Sequence, residues 1–400
     1  MTANHAPADP PSTRLDAPGR LRHGAPAAVL AALPGARAVG GVVRDLLAGR
    51  PVHDVDIAAP LPPEAIAGRL RAAGLKVFET GLQHGTVTAV LDHEPVEVTS
   101  LRRDLATDGR HATVAWTEDW REDAARRDFT MNAMSLDAEG RLWDYFGGRE
   151  DLAAGRLRFV GDPATRLAED YLRVLRFFRF HARYGIGAPE PAALAAIRAA
   201  VPGLERLSAE RVWMELKRLL EGPAPADSLA LMRDTGVLGA ILPEAGALDA
   251  LARSQAPADP LLRLSLLLAA DPAPLARRLK LSGDETRRLR DLLAIPAPAP
   301  DMADDDLRRL LAEHPAETAT AATWAAEARD GQNRATLRDR IDATPRPVFP
   351  LQGRDALALG ASPGPAMGKA LNDVKQWWME QGCVPTKEQT AEKLKKRLGE

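Results

Sequence analysis

An α+β head on a mixed sheet, followed by an all-helical remainder, is the fold class that this 400-residue sequence predicts. Two observations carry it. Up to about residue 160, short alternating or apolar runs alternate with helical runs, and then strand patterns follow one another directly. From Pro163 onward the strand signals disappear, and helical patterns succeed each other between prolines and glycines.

In chain order, the first 22 residues are rich in Pro and Ala and are expected to be a disordered leader. They lack the apolar run of a secretory signal. The runs "ARAVG", "HDVDIA", "LKVFET", "GTVTAVL" and "PVEVTSL" read as strands; "VVRDLLAG" and "PPEAIAGRLRAAG" read as helices between them. "PATRLAEDYLRVLRFFRFHARYG" reads as one long helical pattern, with Tyr171, Val174, Leu175 and Phe178 forming its apolar stripe. "PAALAAIRAAV", "SAERVWMELKRLLEG", "SLALMRDTGVLGAIL" and "DPLLRLSLLLAA" continue the helices, and "IPAPAPDMAD" reads as a linker. Ser282 with Glu285, and Thr386 with Gln389, have the spacing of capping boxes.

Composition narrows the function classes. Lys plus Arg is 53 and Asp plus Glu is 55, a formal net charge of −2. That balance argues against a surface that binds polyanions everywhere and leaves room for a local basic groove. The single cysteine, Cys383, excludes an intramolecular disulfide and a cysteine-based zinc site. A reducing, cytoplasmic location is the expectation. No run of about 18 apolar residues suggests a membrane span, and no segment points to a protein partner.

The chemistry is concentrated in "AVGGVVRDLLAGRPVHDVDIA", residues 38–58. If "HDVDIA" is a strand, Asp54 and Asp56 share one face and Val55 and Ile57 the other. Paired carboxylates of this kind suit divalent metal, and Mg²⁺ prefers such oxygen ligands together with phosphates. Gly40 and Gly41 allow close backbone approach at a helix start, where free N–H groups receive an anion. Arg44, one turn further, adds charge-assisted hydrogen bonds. The stretch therefore holds parts for a metal–triphosphate site.

Taken with "RRDFTMNAM" and "EDYLRVLRFFRF", this stretch resembles the class II tRNA nucleotidyltransferases, a family that contains CCA-adding enzymes and bacterial poly(A) polymerases. The resemblance is strong over residues 36–225 and weaker to the end, where "LQGRDALALGASPGPAMGKAL" is similar to a late helical segment. It implies a nucleotidyltransferase head at 23–160, a helical neck with a nucleotide-selecting helix at 161–225, and a tRNA-binding helical body and tail at 226–400. It implies Asp54 and Asp56 as metal carboxylates, with Glu97 as a third candidate, and two Mg²⁺ ions as cofactors. Arg127 is expected at the nucleotide, with Asp128 and Asn132 supporting the sugar or the hinge.

On "EDYLRVLRFFRF", Asp170 and Arg173 lie three apart and are expected on one helix face, with Arg176 and Arg179 extending it toward the triphosphate. The resemblance implies that this helix chooses the base without a template. Cytosine and adenine both place an amino donor beside a ring-nitrogen acceptor, which an aspartate and an arginine complement. Guanine and uracil invert that pattern, and each mispaired buried group costs on the order of 1–3 kcal/mol.

The implied reaction adds C, C and A from CTP and ATP to a tRNA lacking all or part of its 3′ CCA, with pyrophosphate leaving each time. The segment "LRRDLATDGRHATVAWTEDWREDAA" is expected to contain a flexible element for the switch from C to A. Its "DGRH", Asp108 to His111, resembles the full-length form. The rivals are a bacterial poly(A) polymerase, a CC-adding enzyme and an inactive RNA-binding member. No HxxHD-like cluster suggests an added phosphohydrolase. The basic end "EKLKKRLGE" and the pair Trp377–Trp378 are candidates for RNA contact, with a solvated face and core packing as their plainer roles.

Overall fold

The computed structural model describes residues 9–16, 19–52, 54–82, 85–107, 112–246, 248–269 and 271–398. The chain divides into two compact units, Met1–Ile241 and Leu242–Glu400. Among the described residues, no helix is long and apolar enough to cross a membrane.

The first unit has ten strands among its described residues: β1 (Thr13–Arg14), β2 (Arg37–Val39), β3 (Asp56–Ala59), β4 (Lys76–Gly81), β5 (Thr86–Leu91), β6 (Glu94–Ser100), β7 (Arg102–Thr107), β8 (Ala112–Trp116), β9 (Met134–Leu136) and β10 (Arg141–Asp144). Eight of them form one mixed sheet in the order β1-β10-β9-β2-β3-β6-β5-β4. The one parallel pair, β3 with β6, sets Asp56 directly opposite Glu97. β5 and β6 are joined through Asp92 and His93, both at positive φ, as a two-residue hairpin turn requires.

Helices α1 (Gly24–Ala32), α2 (Gly41–Leu47), α3 (Pro63–Ala72), α4 (Trp120–Ala125) and α5 (Gly148–Ala153) belong to this sheet region. After it come α6 (Pro163–Glu169), α7 (Leu172–Tyr184), α8 (Pro191–Ala200), α9 (Ala209–Leu220), α10 (Pro225–Asp234) and α11 (Val237–Ile241). An aromatic cluster fixes α7 against the sheet region. Phe129 stands 5.0 Å from Phe159, 6.1 Å from Phe177 and 5.4 Å from Phe180, ring centre to ring centre. Phe129, Phe159 and Phe177 are fully buried, so the helix cannot leave without exposing large apolar area.

The structure departs from the sequence expectations at four places. The expected leader is ordered where described: β1 pairs with β10, and the Asp9 carboxylate accepts from Arg37 Nη2 (2.9 Å) and from Tyr145 Oη (2.5 Å). Two residues of strand carry no usable period, and the anchor is an ion pair to a distant arginine. The strand expected over "HDVDIA" begins only at Asp56, and His53 lies outside the described residues. The segment expected to contain a flexible element, in which no strand was read, is in its described residues an antiparallel ribbon, β7 with β8, followed by α4; "DGRH", Asp108 to His111, lies outside the described residues. The single long helix expected from Pro163 is broken at Asp170, whose backbone is extended (φ −154°, ψ 108°).

The second unit is helical: α12 (Asp249–Arg253), α13 (Pro260–Leu267), α14 (Ala273–Leu279), α15 (Gly283–Ala294), α16 (Asp304–Glu313), α17 (Ala316–Asp330), α18 (Ala335–Ala343), α19 (Gly353–Ala358), α20 (Pro365–Glu380) and α21 (Lys387–Leu398). Both expected capping boxes are present. Ser282 Oγ accepts from the Glu285 N–H while Glu285 accepts from the Ser282 N–H, and Thr386 and Gln389 do the same. Trp378 is a core residue, 2% exposed, packed on Phe349. Trp377 is half-buried and lines a shallow cleft with Lys393 and Lys396.

Candidate active site

A cavity of about 830 Å³ opens in the first unit, between the sheet region and the face of α7. Twelve of the thirteen residues expected at the site line it: Gly40, Gly41, Arg44, Asp54, Asp56, Arg127, Asp128, Asn132, Asp170, Arg173, Arg176 and Arg179. Glu97 is the thirteenth; it is exposed and sits beside Asp56 in the parallel register.

The glycine turn has a definite reason. Gly40 caps α2 with φ +69° and ψ −121°, a conformation that an L side chain rarely adopts. A Cβ there would stand 2.9 Å from Arg127 Nη1. Gly40→Ala should therefore strain the turn by about 1–3 kcal/mol and push Arg127 aside. The expected outcome is a raised KM for nucleotide together with a lower Tm; unchanged values of both would show that the turn tolerates a side chain.

The carboxylates lie next to one another. Asp54 and Asp56 are exposed while Val55 and Ile57 are buried, so the expected alternation holds although only Asp56 is in β3. Burial pushes the Asp56 carboxyl up, Glu97 and Asp54 push it further, and Arg127 opposes them. Among the described residues, no group of three or more His, Cys, Asp or Glu side chains is already arranged around a metal position. The donors are nonetheless all oxygens, mutually repelling and facing an open cavity, which is the environment that a hard divalent cation relieves.

Around them runs a connected network. Arg176 Nε donates to Asp128 Oδ2 (2.7 Å), Asn132 Nδ2 donates to Asp128 Oδ1 (2.9 Å), and Arg44 Nη1 donates to Asn132 Oδ1 (2.6 Å). Arg44 also pairs with Asp45, which accepts from Tyr184 Oη. This chain of bonds ties α2, the RRDFT segment and α7 together. Burial alone would raise the Asp128 carboxyl. The Arg176 charge and the hydrogen bonds from Asn132, Arg176 and the Phe129 N–H outweigh it and hold the pKa below the ordinary value.

Asp128→Asn is expected to lower stability by about 2–3 kcal/mol at neutral pH, since it leaves Arg176 without its main partner and Arg176 is partly solvated. The depressed folded pKa means that the carboxylate's contribution is complete above the unfolded pKa, about 3.9, and is lost as pH falls through the lower folded value. Denaturation of the variant should lack that acid-limb loss. An identical acid limb in both proteins would refute the assignment.

At the helix break, Asp170 Oδ1 accepts from the Leu172 N–H (3.0 Å) and Oδ2 from Arg211 Nη2 (2.8 Å). Arg173 donates to the carbonyls of Arg166 (2.8 Å) and Arg126 (3.2 Å) and to the Glu169 carboxylate. Both side chains line the cavity. They do so from the two sides of a break rather than from one continuous helix face. Arg179 Nε donates to Glu215 Oε2 (2.6 Å), so this arginine reaches the cavity already ion-paired.

Several site residues were not anticipated. Glu215 is 1% exposed beneath Arg176 and Arg179. Its signal is a position on the buried stripe Val212–Leu216–Leu219 of α9, where an acid calls for a partner. Asp123 holds Arg126 and Arg127 from α4, three and four residues away. Arg211, Arg183 and Arg218 complete the cationic wall.

A mixed sheet with its one parallel strand pair bearing carboxylates, a glycine turn into a helix, and an arginine-lined cavity define a nucleotidyltransferase head. The family described as "Poly A polymerase head domain" matches residues 36–158, and "Probable RNA and SrmB- binding site of polymerase A" matches residues 188–248. The mitochondrial CCA tRNA nucleotidyltransferase 1 of Danio rerio is 36% identical, covering 86% of this chain and 83% of its own length. The Homo sapiens counterpart is 34% identical over 90% and 86%. The structure of the Bacillus stearothermophilus CCA-adding enzyme in complex with CTP aligns with a TM-score of 0.79 at 30% identity, covering 92% of this chain and 95% of that one. The chain belongs to the CCA tRNA nucleotidyltransferase family.

Proposed function

We propose that this chain adds C, C and A to the 3′ end of tRNA lacking all or part of that sequence, using CTP and ATP and releasing pyrophosphate at each step. The observation that carries the reading is the meeting, in one cavity, of the Gly40–Gly41 turn, the Asp54–Asp56 pair and the Asp170–Arg173 pair. A cavity with a phosphate end, a carboxylate edge and a base-reading end suits a nucleoside triphosphate and a chemistry of positioning.

Asp54 and Asp56, with Glu97 beside them, would hold Mg²⁺, which when bound supplies charge stabilisation at the transferred phosphorus. The N-terminal N–H groups of α2 receive phosphate oxygens. Arg176 and Arg179, oriented by Asp128 and Glu215, set the positive potential along α7. Asp170 accepts from the exocyclic amino group of C or A, and Arg173 donates to the adjacent ring nitrogen. Arg211 limits the freedom of Asp170 by holding one of its oxygens. In this reading residues 23–160 are the head, 161–225 the neck, and 226–400 the body and tail that hold tRNA by shape and phosphate contacts. The cytoplasmic location expected from a single cysteine belongs to the same reading; the Danio rerio and Homo sapiens relatives are mitochondrial by name.

The test is gel analysis of a tRNA transcript that ends before CCA, with purified protein, Mg²⁺, CTP and ATP. Growth by three nucleotides followed by a stop is expected. A long A ladder on unrelated RNA would assign a poly(A) polymerase instead, and a stop after two additions a CC-adding enzyme.

A further inference from the structure

A second cleft of about 590 Å³ lies beside the nucleotide cavity, lined by Arg50, Arg149 and Arg183 and, among the described residues, by no acidic residue. Its lining also includes the apolar Leu47, Leu152 and Ile186. Arg183 lines both cavities, so the two are neighbours at that residue. Five arginines at the nucleotide cavity, Arg44, Arg127, Arg173, Arg176 and Arg179, stand against carboxylates. Those of the second cleft, among the described residues, do not.

The cleft is also held in shape. Arg50 Nη2 donates to the Arg183 carbonyl (2.8 Å), and its guanidinium sits 5.0 Å from the centre of the Tyr184 ring. Ile186 is 73% exposed. Its N–H nevertheless donates to the Gly155 carbonyl (2.9 Å), and its side chain lies where a Cβ on Gly155 would meet it at 2.4 Å. A fixed, exposed isoleucine between cationic arms presents an apolar contact flanked by anion sites.

We infer that this cleft binds the sugar–phosphate backbone of the RNA strand that leads to the reacting 3′ end, with a ribose or base resting on Ile186. The inference rests on the reading of the substrate as tRNA. Uncompensated positive charge calls for an anionic occupant. Cations placed beside apolar side chains fit a strand, in which phosphates alternate with apolar faces, better than a compact triphosphate. The shared residue Arg183 places such a strand next to the cavity where its terminal hydroxyl has to arrive.

The test uses the full chain and tRNA lacking CCA, with affinity read by fluorescence anisotropy without nucleotide over a range of salt, and KM for CTP read separately. The double variant R50E/R149E alters residues that line the second cleft and not the nucleotide cavity. It should weaken tRNA binding about tenfold at physiological salt and flatten the log–log salt dependence by about 1.4–1.8, as expected for two lost phosphate contacts. KM for CTP should not change, and R149K should retain most of the affinity. I186S should weaken tRNA binding without altering the salt slope. Unchanged tRNA affinity and slope in R50E/R149E would overturn the inference. So would a rise in KM for CTP with tRNA affinity intact, which would make the cleft a site for free nucleotide or pyrophosphate. A wild-type chain that binds tRNA through these residues yet adds nothing to it would uphold the cleft and overturn the functional reading, so the two fail separately.

Discussion

Asp56→Asn is expected to reduce incorporation of both C and A about 1,000-fold, a loss of roughly 4 kcal/mol of transition-state stabilisation. The fold should survive. Burial and the neighbouring Glu97 and Asp54 already push the Asp56 carboxyl up, so its charged form is disfavoured in the folded chain, and removing the charge relieves repulsion. The variant should therefore melt at the same temperature as the parent or above it. Loss of activity with an undiminished Tm separates a chemical role from a structural one. Activity within a few-fold of the parent would remove Asp56 from the metal carboxylates. Asp54→Asn should follow the same pattern, and comparing the two at rising Mg²⁺ would show whether excess cation restores either.

Asp170→Ala is expected to change what is added more than how fast. The physical basis is the two mispaired groups that U or G would present to an aspartate and an arginine, each costing on the order of 1–3 kcal/mol. Removing one of the two should lower the preference for CTP over UTP, read as the ratio of kcat/KM values, by about 10- to 100-fold. Arg211 makes this variant informative, because it loses its carboxylate partner at the same time. Arg211→Ala, which leaves Asp170 in place, should relax the preference less. An unchanged CTP-to-UTP ratio in Asp170→Ala would rule out Asp170 as a reader of the base.

Much of this was legible in the sequence because the chemistry is local. The glycine turn, the Asp54–Asp56 pair and the helix start all lie within residues 38–58, and alternation alone placed the two aspartates together. Of the stripe read on α7, Val174, Leu175 and Phe178 recur at helical spacing and are all buried, while Tyr171 is the residue that caps the helix and is half-buried. The five runs read as strands fall on β2 to β6, of which β4, β5 and β6 are six or seven residues long and carry a period, while β7 and β8, of similar length, were not read.

The rest depended on partners distant in sequence. The helix break at Asp170 was not signalled by Gly or Pro. An aspartate beside a helix start is the one local hint, since its carboxylate accepts from Leu172, while the other oxygen is held by an arginine 41 residues away. β1 is two residues long and exists because Arg141 and Leu142 offer it an edge. Arg176 and Arg179 read from sequence as free cations for phosphate, but Asp128 and Glu215 partly neutralise them. Only packing α7 against the sheet region and α9 could bring those charges together. The sequence by itself determined the residue types and the short-range spacings that suit nucleotidyl transfer, because those are set by bond geometry within an element. Tertiary structure alone decided which arginines are neutralised and which remain to meet a polyanion, because that depends on carboxylates carried by other elements and on how much water the packing leaves around each pair.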